Sequence, residues 1–238
     1  MNELAHTVIS AWSRTYFTEP ILLSLLAITL IKSLTQRKNI EHLTLLPIYS
    51  SLFILMFAID YVMTSRIISD RNYFSITLWS AQYLVSIVEF LTFMLYINFH
   101  TYSKANKLIL KILSGLVLSL FVITYILYFR KPAIPRYFIL HWLYVCQSIP
   151  ILAGCIIFFT QLVRITTEFP VINRASFWVI TGLSLYTICT LPISIAAPFI
   201  LNKDYDLYNV LFTLIYIFYI ILFIFILKAY KCKPAGLK

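Results

Sequence analysis

The chain has 238 residues, of which 61% are apolar and only 12% charged, and its mean hydropathy is +0.88. Soluble domains carry about 45–50% apolar and about 25% charged residues, so this composition excludes a water-soluble enzyme and indicates a chain that is almost all membrane domain. The net charge of +10 has to be read through membrane topology, because basic residues collect on cytoplasmic loops; it is not a nucleic-acid footprint.

Residues 1–18, MNELAHTVISAWSRTYFT, are mixed and read as an interfacial segment without the basic start and apolar centre of a secretory leader. Span 1 is expected from about Phe17 to Leu34, with Pro20 tolerable in its first turn. A basic loop, TQRKNIEH, precedes span 2 from about Thr44 to Met63, which has Pro47 near its start and Asp60 near its end. Span 3 covers Phe74 to Phe99. The loop HTYSKANK leads into span 4, Leu108 to Phe129, and the prolines of RKPAIPR separate it from span 5, Tyr137 to Gln161. Span 6 runs from Phe177 to Ile200, where Pro192 predicts a kink. Span 7 runs from Leu207 to Leu227, and KAYKCKPAGLK follows. The expected fold is all-α, one polytopic membrane domain built as a seven-helix transmembrane bundle.

Lys and Arg divide unequally between the two sides of that bundle. Loops 1, 3 and 5 with the C-terminal tail hold twelve of the nineteen, and the other side holds seven. The positive-inside bias then places the N-terminus outside and the C-terminus in the cytoplasm, in a cell inner (cytoplasmic) membrane. The tail lysines Lys228, Lys231, Lys233 and Lys238 would lie along an anionic inner leaflet or meet a cytoplasmic partner.

Span 3 holds the least ordinary residue. Glu89 sits mid-span, and Gln82, Ser86, Glu89, Phe93 and Tyr96 recur at the 3/4 spacing of one helix face. The opposite stripe, Leu84, Ile87, Val88, Leu91 and Leu95, is oily. A charge inside a bilayer is expensive unless other helices or a wet cavity surround it, so partner helices are expected around Glu89. It could bind a cation or protonated amine, relay a proton, or simply hydrogen-bond across the bundle.

Depth groups a second set of polar residues toward the outer side: Asp60, Gln82, His141 and Gln147, with Thr190 and Ser194 flanking Pro192. Trp79, Tyr83, Trp142, Tyr144 and Tyr186 could add aromatic walls to an outward-opening ligand cavity. Interface anchoring and interhelical hydrogen bonding are the alternative reading of these residues. The four histidines fall on different segments without ligand spacing, no nucleophile motif is present, and the four cysteines read as isolated thiols. No cofactor or metal and no catalytic residue is therefore expected.

The segments YLVSIVEFLTFMLYINF and RASFWVITGLSLYTICTLP, through Glu89, Phe177, Trp178, Gly182 and Tyr186, resemble a bacterial, Bacteroidetes-type family of seven-helix membrane proteins. They also resemble the N-terminal membrane portions of some sensor histidine kinases. The resemblance implies an input module whose output is supplied by a separate protein or is absent, because this chain stops after Lys238 where such kinases continue. The expected function is a membrane sensor or receptor-like signalling module that recognises a ligand between its helices. A small-molecule or proton-coupled transporter and a non-catalytic accessory protein are the alternatives. The expected partners are the lipid bilayer, a separate cytoplasmic or membrane signalling protein and, as an open option, a second copy of the chain; nucleic acid is not among them.

Overall fold

The structure is a computed structural model that describes residues 18–36, 43–64, 71–130, 136–164, 171–201 and 203–232. Side chains at 60–64, 71–79, 127–130, 136–138 and 205 lie outside that description. Among the described residues the chain forms α1 (Glu19–Thr35), α2 (Leu46–Thr64), α3 (Arg71–His100), α4 (Lys104–Arg130), α5 (Arg136–Arg164), α6 (Ala175–Ile200) and α7 (Tyr205–Ala229), with a short 3-10 turn at Val171–Asn173.

The protein is an all-α, multi-pass membrane bundle. Five of its helices, α3 to α7, contain segments long and apolar enough to cross a bilayer. α1, at 17 residues, and the apolar stretch Leu46–Ile59 of α2 are shorter. Every helix matches an expected apolar segment; α1 and α2 begin about two residues later than expected, whereas α3, α4, α5, α6 and α7 extend their segments at one or both ends, because helical hydrogen bonding continues into the polar flanks. α6 is helical without interruption through Pro192 and Pro198, and α5 likewise through Pro150.

The helix neighbours close a ring: α1 packs on α2, α2 on α3, α3 on α5, α5 on α6, α6 on α7, and α7 back on α1. α4 stands outside this ring against α3 and α5, and only 17% of its apolar segment is buried, against 50% for α3. α1 turns one stripe inward, Leu22, Leu26, Thr29 and Ser33 at helical spacing, and leaves Ile21, Ile28 and Ile31 outward. Within the ring, aromatic rings fill the centre. Tyr49 stacks on Phe223, Phe53 meets Tyr219 and Phe57 meets Tyr216, with centroids 6.2, 5.3 and 5.9 Å apart. These three pairs step along α2 and α7 in opposite directions, so the two helices are antiparallel and their rings bridge the space inside α1.

The bundle ends differ in charge. Tyr102 N–H donates to Gln161 Oε1 at 3.0 Å, joining the C-terminal ends of α3 and α5. Lys228 Nζ stands 5.4 Å from the Trp178 ring, joining the end of α7 to the start of α6. Lys104, Lys107, Arg164, Arg174, Lys228 and Lys231 therefore gather at one end. The opposite end carries Lys203 and the terminal positions Arg71, Arg130 and Arg136 but also two acids, Asp206 and Asp204, whose carboxylate caps α7 by accepting from Leu207 N–H at 2.9 Å.

Candidate functional site

The face of α3 that carries Glu89 turns into the ring. Ser86, Glu89, Phe93 and Tyr96 are buried, whereas Leu84 and Leu95 on the opposite stripe are about half exposed. Glu89 itself is 1% exposed. Its carboxyl meets a set of phenols, each from a different helix. Tyr219 of α7 donates to Oε2 at 2.8 Å. Tyr49 of α2 and Tyr186 of α6 turn their hydroxyls toward the same carboxyl, and Tyr144 of α5 brings a fourth phenol into its field. Five of the six ring helices thus contribute one residue each to a single cluster.

The tyrosines also hold one another. Tyr186 and Tyr219 pack at 4.5 Å between centroids, and Tyr49 leans edge-on against Phe93 of α3 at 6.0 Å. Ser86, one turn before Glu89, donates to the Gln82 carbonyl at 2.9 Å and lies beside Tyr144. The rings of Tyr49, Tyr186 and Tyr219 are therefore held by ring neighbours as well as by their hydroxyls. The hydrogen bonding is nevertheless incomplete: Glu89 Oε1 and Tyr49 Oη have no hydrogen-bond partner among the described residues. No Lys, Arg or His contributes to the electrostatic surroundings of Glu89 there. A buried carboxyl in such a setting is neutral, or is balanced by a cation from outside the protein, because an uncompensated charge at this depth costs several kcal/mol or more.

The other expected site residues distribute differently. Tyr186 joins Glu89. His141, 4% exposed, sits instead near the N-terminal end of α7, where its Nε2 is 3.5 Å from the Tyr208 hydroxyl and its ring meets Phe212. Gln147 is buried on α5 with Oε1 unpartnered, and Gln82 is half-buried on α3. Thr190 and Ser194 are buried, and Thr190 returns its hydroxyl to the Tyr186 carbonyl at 2.8 Å. Tyr83 points away to α4, where its hydroxyl bonds the Phe121 carbonyl and lies 2.6 Å from Thr124 Oγ1. Asp60 belongs to α2, but its side chain lies outside the described residues, as do Lys233 and Lys238. Lys228 and Lys231 are exposed at the basic end. All four cysteines carry free thiols. No group of three or more His, Cys, Asp or Glu suited to a metal occurs among the described residues.

Tyr49 and Tyr219 were not singled out from the sequence. The signal for them is the aromatic stripe Tyr49, Phe53, Phe57 on α2 and its counterpart Phe212, Tyr216, Tyr219, Phe223 on α7, both at one-face spacing. No family model, curated protein or solved structure matches the chain.

Proposed function

We propose that the protein is a membrane sensor or receptor-like module in which Glu89 is the coupling group, with a separate protein supplying the output. One observation carries this reading: a single buried carboxyl is shared by side chains from α2, α6 and α7, with Tyr144 of α5 close by. A change in its charge or occupancy alters contacts to three other helices at once, which is what a bistable bundle needs in order to convert a local event into helix displacement. The reading takes seven crossings, an outside N-terminus and a cytoplasmic C-terminus. The segregation of Lys104, Lys107, Arg164, Arg174, Lys228 and Lys231 to one end supports that orientation. The likeness to sensor-kinase input modules belongs to the same proposal, and so does an inner-membrane location.

The test compares parent, Glu89→Gln and Glu89→Leu in native membranes at matched abundance. The readout is cross-linking between single cysteines at the basic ends of α3 and α6, over mildly acidic to mildly alkaline pH. Glu89→Gln should fold yet lose the parent's dependence of cross-linking on conditions. If Glu89→Gln tracks the parent throughout while Glu89→Leu only lowers abundance, Glu89 is a packing residue and the sensor reading fails.

A further inference from the structure

The chemistry of the Glu89 cluster indicates what would occupy it, and this inference rests on the sensor reading of the same site. We propose that the Glu89–tyrosine cluster is a binding site for a small monovalent inorganic cation of the sodium class. The groups turned toward the centre are hard oxygens: the Glu89 carboxyl and the phenols of Tyr49, Tyr186 and Tyr219, with the Tyr144 hydroxyl beside them against Ser86 and Tyr219. Oxygen-only surroundings select hard cations over transition metals, which prefer nitrogen and sulfur donors. A single carboxyl supplies one negative charge. It balances a monovalent ion and leaves a divalent ion uncompensated at a depth where net charge is costly.

Two atoms show that the oxygen set is open. Glu89 Oε1 and Tyr49 Oη are both buried and without a partner among the described residues, and Tyr49 is fully buried. They belong to helices that are neighbours in the ring and lie in the same electrostatic cluster. An ion accepting both would satisfy the two orphaned atoms together. An organic ammonium ion fits this arrangement less well, since aromatic cages for such ligands present ring faces. Here the hydroxyl edges turn inward, while the rings pack against one another at 4.5 to 6.2 Å between centroids.

The experiment uses the purified full chain in detergent and reads its thermal unfolding midpoint. Sodium chloride is titrated against choline chloride at constant ionic strength, with potassium chloride as a second series and each series repeated at several pH values. Sodium should raise the parent midpoint saturably above choline. Glu89→Gln should abolish that rise, and Tyr49→Phe, which keeps the charge and the ring, should weaken the apparent affinity by roughly tenfold through loss of one oxygen ligand. Should Glu89→Gln fold poorly, Tyr49→Phe alone decides. An equal sodium response in parent and Tyr49→Phe overturns the proposal. So does a midpoint that responds to pH and to no alkali cation: the site then takes a proton, and the sensor reading survives. Conversely, a saturable sodium effect lost in both variants, with cross-linking unchanged in Glu89→Gln, upholds the cation site and sinks the sensor reading.

Discussion

Tyr219 differs from phenylalanine by one oxygen, and that oxygen is the donor to Glu89 Oε2. Tyr219→Phe keeps the ring contacts to Phe53 and Tyr186 and removes that donor from a fully buried acid. The expected loss is about 1–3 kcal/mol, the usual cost of stripping a buried polar group of its partner, measurable as a lower unfolding midpoint in detergent. Adding Glu89→Leu should recover part of the loss, since the acid that the first substitution left unsatisfied is then gone. A double variant that is worse than Tyr219→Phe by the full cost of Glu89→Leu alone would show that the two side chains are energetically independent. At this scale the sequence was partly legible. A carboxylate in an apolar run is conspicuous because its cost in hydrocarbon is high, so Glu89 stands out without any structure. The phenols do not: with seventeen tyrosines, many suited to the lipid interface, nothing in residue type separates Tyr219 from Tyr208. What selects Tyr49 and Tyr219 is the rotation of each helix about its axis, and α7 is apolar nearly all round, so its pattern hardly marks an inward face.

Helices approach closely where glycine permits it, and the three described glycines give contrasting expectations. A Cβ on Gly182 of α6 would lie 2.6 Å from Phe225 Cβ of α7, an atom fixed to the backbone. Gly182→Ala must therefore push the two helices apart and should cost about 1–3 kcal/mol. On Gly154 of α5 the new atom would meet Ile97 Cγ2 of α3 at 2.7 Å, a branch methyl of a fully buried side chain that is stiff about χ1, so Gly154→Ala must also force a shift and should cost somewhat less than Gly182→Ala only because the methyl stands one bond further from the backbone. Gly115 on α4 has nothing within 4 Å, and Gly115→Ala should be neutral or stabilise by up to about 1 kcal/mol through helix propensity. Unfolding midpoints of the three variants check the order; a Gly115 variant as damaged as the Gly182 one would mean that α4 is packed against something. The helices themselves were readable from the sequence because bilayer thickness imposes long apolar runs with polar ends. The neighbour order was not. A hydropathy profile treats span 4 like the others, whereas the fold leaves α4 outside a ring closed by α1 and α7.

For the molecule as a whole, the proposed orientation predicts which terminus meets the cytoplasm. A reporter active only outside the inner membrane should work when fused to the N-terminus and fail at the C-terminus; the reverse pattern would invert the bundle. A second consequence belongs to the centre of the ring, where α2 and α7 meet through Tyr49–Phe223, Phe53–Tyr219 and Phe57–Tyr216. The rings act as struts that set the bore of the bundle, and aromatic struts barely compress. Phe53→Ala removes one of them and leaves an apolar void enclosed by helices, at a cost of about 3–5 kcal/mol. Such a void adds to the volume released on unfolding, so hydrostatic pressure becomes a denaturant for this variant in a way that it is not for the parent. Under pressure, Phe53→Ala should unfold earlier than its thermal midpoint alone implies, and xenon, which fits a dry ring-sized hole, should restore much of the difference.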